Sequence, residues 1–171
     1  MSLIFYEAIQ ESQLDRQAGE QGELVLWQRP PLVDDEVLMG SDRRWRVVKI
    51  ETYQLGNDAV YVAMVNRADL AVPEQWRSHR RKDLFPNVTL GIYSSPSRKV
   101  LTCQMSMEGT PEAVGFRLQH YVPTGQGTRM SSEPQPWEVD RIQAYLPVDD
   151  EASYTAIHLG WCREVALEMA A

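Results

Sequence analysis

The chain has 171 residues and a net charge of −7, with 43% hydrophobic and 24% charged residues. This composition is ordinary for a globular protein and excludes an intrinsically disordered chain. The longest apolar run, 59–65, is far shorter than the roughly 20 residues of a membrane-spanning helix. We therefore expect one domain over 1–171 with no membrane span.

The N-terminus and the cysteines predict a cytoplasmic protein. The first residues lack the basic and apolar segments of a secretory signal. Cys103 and Cys162, which lie far apart, do not make a disulfide framework in a chain of this length. We expect both to be small buried thiols in a reducing compartment.

Apolar residues recur at every second position along most of the chain, which is typical of half-buried strands. The predicted strands are 3–9, 23–28, 36–39, 44–54, 59–65, 88–93, 100–107, 114–122, 137–146 and 153–162. Most prolines fall between these runs, and proline cannot donate to a strand ladder. The predicted helices are 11–17, 74–83 and 163–169.

Two turn-forming clusters predict hairpins. Residues 56–58 (Gly-Asn-Asp) join strands 44–54 and 59–65 with residues that tolerate left-handed backbone angles. Residues 108–112 join strands 100–107 and 114–122. Both faces of 59–65 are apolar, which predicts a central strand that is covered on both sides.

The many short strands predict a mainly β fold, an antiparallel β-barrel or β-sandwich of about 8–10 strands with one to three short helices. Both termini look like strands, so pairing of the first strand with the last would close a barrel. Segments 37–40 and 88–91 are similar and each precedes a hairpin. They suggest an internal repeat of about 50 residues, although such similarity also arises by chance.

A basic segment, 76–82, interrupts the otherwise acidic chain. Four cations and an indole in seven residues can hold phosphates while the ring stacks on a base. The alternative is a solvated connecting helix anchored by its aromatic residues. The candidate partner- or anion-binding residues are Trp76, Arg77, Arg80, Arg81, Lys82, Arg43 and Arg44.

His120 is the candidate cavity residue, because it lies on an apolar strand face between Leu118 and Val122. It is either a satisfied core histidine or a ligand or acid–base group in a cavity. No histidine pair or Cys-x-x-Cys has the spacing of a zinc site. Nucleophile motifs are also missing, so we expect no catalytic residue, metal or cofactor.

These features favour a non-enzymatic β domain that binds a protein partner or a small ligand. One alternative is an enzyme with a pocket in which His120 or His158 meets a carboxylate such as Glu138 or Asp140. A second is nucleic-acid or polyanion binding through the basic segment 76–82. The loop predicted over 123–136 is either a binding loop or only flexible.

Overall fold

The structure is a computed structural model that describes residues 2–8, 23–39, 43–72, 81–98, 100–120 and 135–166. The strands are β1 (Ser2–Ala8), β2 (Glu23–Trp27), β3 (Glu36–Met39), β4 (Arg43–Leu55), β5 (Asp58–Arg67), β6 (Thr89–Ser94), β7 (Val100–Ser106), β8 (Arg117–His120), β9 (Gln135–Pro147) and β10 (Ala156–Glu164), and a single helical turn is α1 (Arg81–Leu84). The predicted mainly β fold is confirmed. In the part of the chain that is described, no helix is long and apolar enough to cross a membrane.

All ten strands belong to one sheet, in the order β2-β1-β5-β4-β9-β10-β6-β7, with β3 added to β4 and β8 added to β9. The sheet is open, so the predicted closed barrel is wrong. The first strand pairs with β2 and β5 and the last with β9 and β6, not with each other. The sheet is also mixed, because β1 runs parallel to β5 and β6 runs parallel to β10.

The hairpin predicted at 56–58 is confirmed. β4 and β5 pair as far as Leu55 and Asp58, and Gly56 takes the positive φ of 59° that suits a two-residue hairpin turn. β5 lies between β1 and β4 and is covered on both faces, as Val62 and Ala63 show with no exposed surface. The predicted central strand is therefore correct.

The second predicted hairpin is wrong. β7 pairs with β6, and β8 pairs with β9. Because β7 is the last strand of the sheet path, Met105 on its apolar face stays 43% exposed, and Met107 just beyond it is 52% exposed. Alternation of side chains identified both strands, but it carries no information about which neighbour a strand pairs with.

The predicted helices are largely outside the described residues. The segment 11–17 lies wholly outside them, and 74–83 is described only where α1 begins. The helix predicted over 163–169 is wrong at its start, because Arg163 and Glu164 extend β10.

The sheet consists of two halves with the same topology, which we call repeat A (β1–β5) and repeat B (β6–β10). In each repeat the first strand pairs antiparallel with the second and runs parallel to the fifth, and the fourth pairs antiparallel with the third and fifth. The two repeats join through β4 and β9, where Gln54 faces Leu146. These residues hold equivalent positions, so an approximate two-fold axis passes between them.

The fourth strands of the repeats also share a sequence pattern. Residues 45–53 of β4 and 137–145 of β9 both read W-x-V-x-[K/R]-I-x-x-Y. A β-bulge follows the shared valine in each strand, at Val48 and at Asp140. A bulge adds one residue to one strand and increases its local twist, so the same kink is built into both repeats.

The turn before the third strand is repeated as well. Asp34 and Gly115 have positive φ angles of 72° and 89°, and each donates its backbone N–H to the carbonyl of the shared valine, at 2.9 Å and 2.8 Å. The repeat predicted from segments 37–40 and 88–91 does not match the observed repeats, because these two segments are not equivalent. Those segments fall on β3 and β6, which are the third strand of one repeat and the first of the other.

A shared core joins the two repeats. Its buried side chains come from both halves and include Phe5, Val62, Ile92 and Leu159, none of which has exposed surface. A separate buried cluster on the opposite face of the sheet belongs to each repeat alone, around Val47 in repeat A and Val139 in repeat B. Burial of apolar surface in the shared core holds the halves together.

Candidate functional site

The predicted basic segment is described only at its C-terminal end. The described part of the chain does not include Trp76, Arg77 or Arg80. It includes the backbone but not the side chains of Arg81 and Arg43. Lys82 is held by the chain itself, since its ammonium donates to the carbonyl of Asp150 and its backbone N–H donates to that of Ser153 at 3.1 Å. The exposed Arg44 lies 4.0 Å from Glu36. Polyanion binding through this segment stays a prediction.

The structure does not bring His158 next to Glu138 or Asp140, the two carboxylates that the enzyme alternative names. The backbone of His120 lies in β8, and its side chain is outside the described residues. His158 is buried, and this burial lowers the pKa of its imidazole, which is therefore mostly neutral at pH 7. It pairs in register with Ala144, whereas Glu138 and Asp140 lie nearer the other end of β9.

The clearest difference between the repeats is the connection between their fourth and fifth strands. In repeat B this connection is 148–155, and in repeat A it is the two-residue turn 56–57. The long connection places Ala152, Ser153 and Tyr154 in the buried interior between the repeats, and we call these three residues the plug. At the equivalent position beside the short turn there is an open cleft of about 450 Å³, which we call the inter-repeat cleft.

The plug is fixed by hydrogen bonds to β4. Glu51 accepts hydrogen bonds from the hydroxyls of Tyr53 and Ser153, each at 2.6 Å, and the ammonium of Lys49 lies 2.7 Å from its carboxylate. The backbone N–H of Tyr154 donates to the Tyr53 hydroxyl at 3.2 Å. The plug therefore belongs to a buried polar network whose members satisfy one another.

Glu51 is ionised in this network. Desolvation by burial raises the pKa of its carboxyl, but the hydrogen bonds from Lys49, Ser153 and Tyr53 outweigh it and hold the pKa below its usual value. The ring of Tyr154 has no exposed surface, and its hydroxyl donates to Glu7 of β1 at 2.9 Å. An aromatic ring with a polar tip thus occupies this position.

The inter-repeat cleft has aromatic walls contributed by both repeats. Tyr61 comes from repeat A, and Tyr145 and Trp161 come from repeat B. The indole N–H of Trp161 donates to the Gln143 side chain at 2.9 Å, and the Arg141 guanidinium lies 5.9 Å from the ring centroid. Trp161 is therefore held in one orientation beside the opening.

Two opposite charges lie at the rim of the cleft. Asp58 follows the short turn of repeat A, and Arg98 lies in the turn between β6 and β7 of repeat B. Arg98 has a positive φ of 64°, which is uncommon for a residue other than glycine. Burial and then the charge of Asp58 raise the pKa of the Tyr145 hydroxyl, so this phenol is neutral at pH 7.

The volume of the cleft lies within the range of small-molecule sites, about 300–1,000 Å³. Its lining combines three aromatic side chains with a comparable share of polar surface. Aromatic rings in the cleft can stack on a planar ligand, and Arg98 and Asp58 can pair with polar groups at its ends.

Sequence reasoning assigned no residue to this cleft. The lining residues on which the argument depends are Asp58, Tyr61, Arg98, Tyr145 and Trp161. The pattern shared by 45–53 and 137–145 could have revealed the two repeats, and the unequal lengths of the connections that follow it could have pointed to the cleft.

Comparison with known proteins gives no match: no family model, no curated protein and no solved structure is significantly similar to this chain. The arguments for its function therefore depend on the geometry of the described residues.

Proposed function

We propose that this chain is a non-enzymatic protein that binds a small ligand, and that the inter-repeat cleft is the binding site. The single observation that carries the proposal is the difference between two equivalent positions. One position is filled by the plug, and the other is an open cleft of about 450 Å³ with aromatic walls.

The plug indicates what kind of molecule fits the cleft. Tyr154 fills its position with an aromatic ring, and the residue that contacts its backbone, Tyr53, is equivalent to Tyr145 in the cleft. A ligand in the cleft would therefore lie beside Tyr145, which is only 4% exposed, and would place its ring mainly against the partly exposed Tyr61 and Trp161. The proposed ligand class is a planar, ring-containing molecule with hydrogen-bonding groups that reach Asp58 or Arg98.

Changes between the equivalent residues also favour an external ligand. Glu51, which binds the plug, is replaced at the equivalent position by Gln143, whose carbonyl oxygen accepts from Trp161. Glu51 thus anchors the plug in one half of the sheet, whereas Gln143 fixes the orientation of Trp161 beside the cleft in the other half. An uncharged amide leaves the cleft without a buried carboxylate that a ligand would have to neutralise.

The experiment is a screen of planar aromatic fragments by ligand-observed NMR, followed by affinity measurement for the compounds that bind. The blocking variant is Ala59→Phe, because Ala59 lines the cleft and a larger side chain would fill it. The matched control is Ala144→Phe, which adds the same ring at an exposed position on β9.

We expect saturable binding of ring-containing fragments to the unmodified chain and to Ala144→Phe. Affinity should fall by about tenfold or more in Ala59→Phe, which corresponds to about 1.4 kcal/mol. The proposal fails if no fragment binds saturably, or if both variants bind the fragments equally well.

A further inference from the structure

A second, smaller cavity lies within repeat B. It has a volume of about 200 Å³ and is enclosed by β6, β7, β10 and residues 110–112. Its lining is polar and shares no residue with the inter-repeat cleft. A space of this size equals the volume of about six or seven water molecules in the liquid.

Two of the lining residues each have a buried side-chain polar atom with no partner among the described residues. The two atoms are the hydroxyl of Thr89, a residue that is 3% exposed, and Nδ1 of His158, a residue that is 8% exposed. His158 pairs in register with Gly91, which is two positions from Thr89 on the same face of β6. Leaving a buried polar atom unpaired destabilises a protein, so a bound molecule that pairs both atoms would be stabilised.

Glycines in β6 and β10 make room for the ring of Tyr93, which lines this cavity. A Cβ on Gly160 would come within 2.5 Å of the Tyr93 ring, and one on Gly91 within 2.9 Å. The ring of Tyr93 therefore lies across both glycines. The position equivalent to Gly91 in repeat A is Ile4, whose side chain is fully buried.

Tyr93 also positions the one charged group in the lining. Its hydroxyl accepts a hydrogen bond from the backbone N–H of Glu112 at 2.8 Å, and the Gln104 amide donates to the Glu112 carboxylate at 3.2 Å. Within the described chain, no lysine or arginine lines this cavity. An anion would therefore meet a carboxylate with no compensating cation.

We propose that this cavity is a second binding site, which takes a small organic cation with a primary ammonium group. An ammonium has three N–H donors, and the carboxylate of Glu112, the hydroxyl of Thr89 and a neutral His158 imidazole supply three acceptors. The positive charge pairs with Glu112, and pairing is what allows a charged group to be buried. The site is independent of the inter-repeat cleft.

The test uses three probes of similar size and different charge on the full chain: ethanolamine, ethylene glycol and glycolate. NMR titration follows the imidazole of His158 and the backbone amide of Glu112. We expect saturable shifts with ethanolamine and affinities about tenfold weaker or worse for the neutral and anionic probes.

Two substitutions locate the binding. Glu112→Gln should weaken ethanolamine binding by about tenfold or more, whereas Glu108→Gln, on a nearby exposed turn, should change it by less than about twofold. Thr89→Val keeps the side-chain shape and should also weaken binding, and amide spectra report whether each variant is folded.

The proposal is overturned if ethanolamine gives no saturable shift at any concentration that the folded protein tolerates. It is also overturned if ethylene glycol or glycolate binds as tightly as ethanolamine. Equal affinities of Glu112→Gln and Glu108→Gln would overturn it in the same way.

Discussion

The two equivalent positions between the repeats differ in what fills them. The plug at 152–154 closes one with side chains of the chain itself, held by the buried network around Glu51. At the other, the tight turn at 56–57 inserts no such segment, and the inter-repeat cleft opens beside Tyr145. The same strand framework thus borders both a core and a cavity, and the two positions differ in the length of the connection beside them.

This difference shows how a repeated fold can contain a cleft in one half without any additional strand. The strand framework is the same in both repeats and includes a bulge in each fourth strand, at Val48 and at Asp140. The loops then vary, as they generally do on a rigid scaffold. The filled position therefore serves as an internal reference for the open one.

The largest expected effect comes from removing the plug's ring. Tyr154→Ala should lower the free energy of unfolding by about 3–5 kcal/mol, because it leaves a cavity in a fully buried site. Val148→Ala, in the same connection but 60% exposed, should change it by less than about 0.5 kcal/mol. Urea unfolding measures both, and similar losses would show that the plug is not part of the core.

The next largest difference is expected between variants that remove the hydroxyl of Tyr53, beside the plug, or of Tyr145, beside the cleft. Tyr53→Phe deletes a group bonded to Glu51 and Tyr154, and it should lower stability by about 1–3 kcal/mol. Tyr145→Phe should change stability by less than about 0.5 kcal/mol, because the described residues offer its hydroxyl no hydrogen bond. Equal effects in urea unfolding would contradict the difference between the two positions.

The pH dependence of stability tests the ionised state of Glu51. Its pKa in the folded state lies below the ordinary value of about 4.3, so its charge stabilises the fold above that pH. The stabilisation is lost as the pH falls through the folded pKa. The stability difference between the unmodified chain and Glu51→Gln should therefore be largest above about pH 5 and shrink in more acidic solution. If the stability difference between the two proteins does not vary with pH, the charge of Glu51 does not stabilise the fold.

The smallest expected effect concerns a cross-strand ion pair whose polarity is reversed between repeats. Glu36 pairs with Arg46 in repeat A, and at the equivalent positions Arg117 pairs with Glu138 in repeat B. Arg46→Glu should destabilise the fold by less than about 1 kcal/mol, because it places like charges opposite each other. Adding Glu36→Arg should restore stability, and failure of that rescue in thermal unfolding would contradict the equivalence.

The sequence pattern was sufficient to locate the strands but not to arrange them. Alternating residues and prolines predicted β3 at its observed bounds and the hairpin at Gly56. Alternation defines the faces of a strand, whereas pairing depends on packing between distant segments. The parallel pairs and the separation of β7 from β8 were therefore not predictable in this way.

The candidate site was less predictable than the fold for a related reason. Charge runs and single histidines, such as 76–82 and His120, attract attention in a sequence because their chemistry is local. The cleft depends instead on a missing insertion at 56–57 and on residues that are distant in sequence, such as Tyr61 and Trp161. Only the alignment of the two repeats makes that absence visible.

The most direct test of the central claim is amide chemical-shift mapping of the full chain with the tightest-binding aromatic fragment. We expect perturbations at Asp58, Ala59 and Arg98 around the inter-repeat cleft and none at the plug residues Ser153 and Tyr154. Perturbations that spread over both positions, or that lie away from the cleft, would contradict this claim.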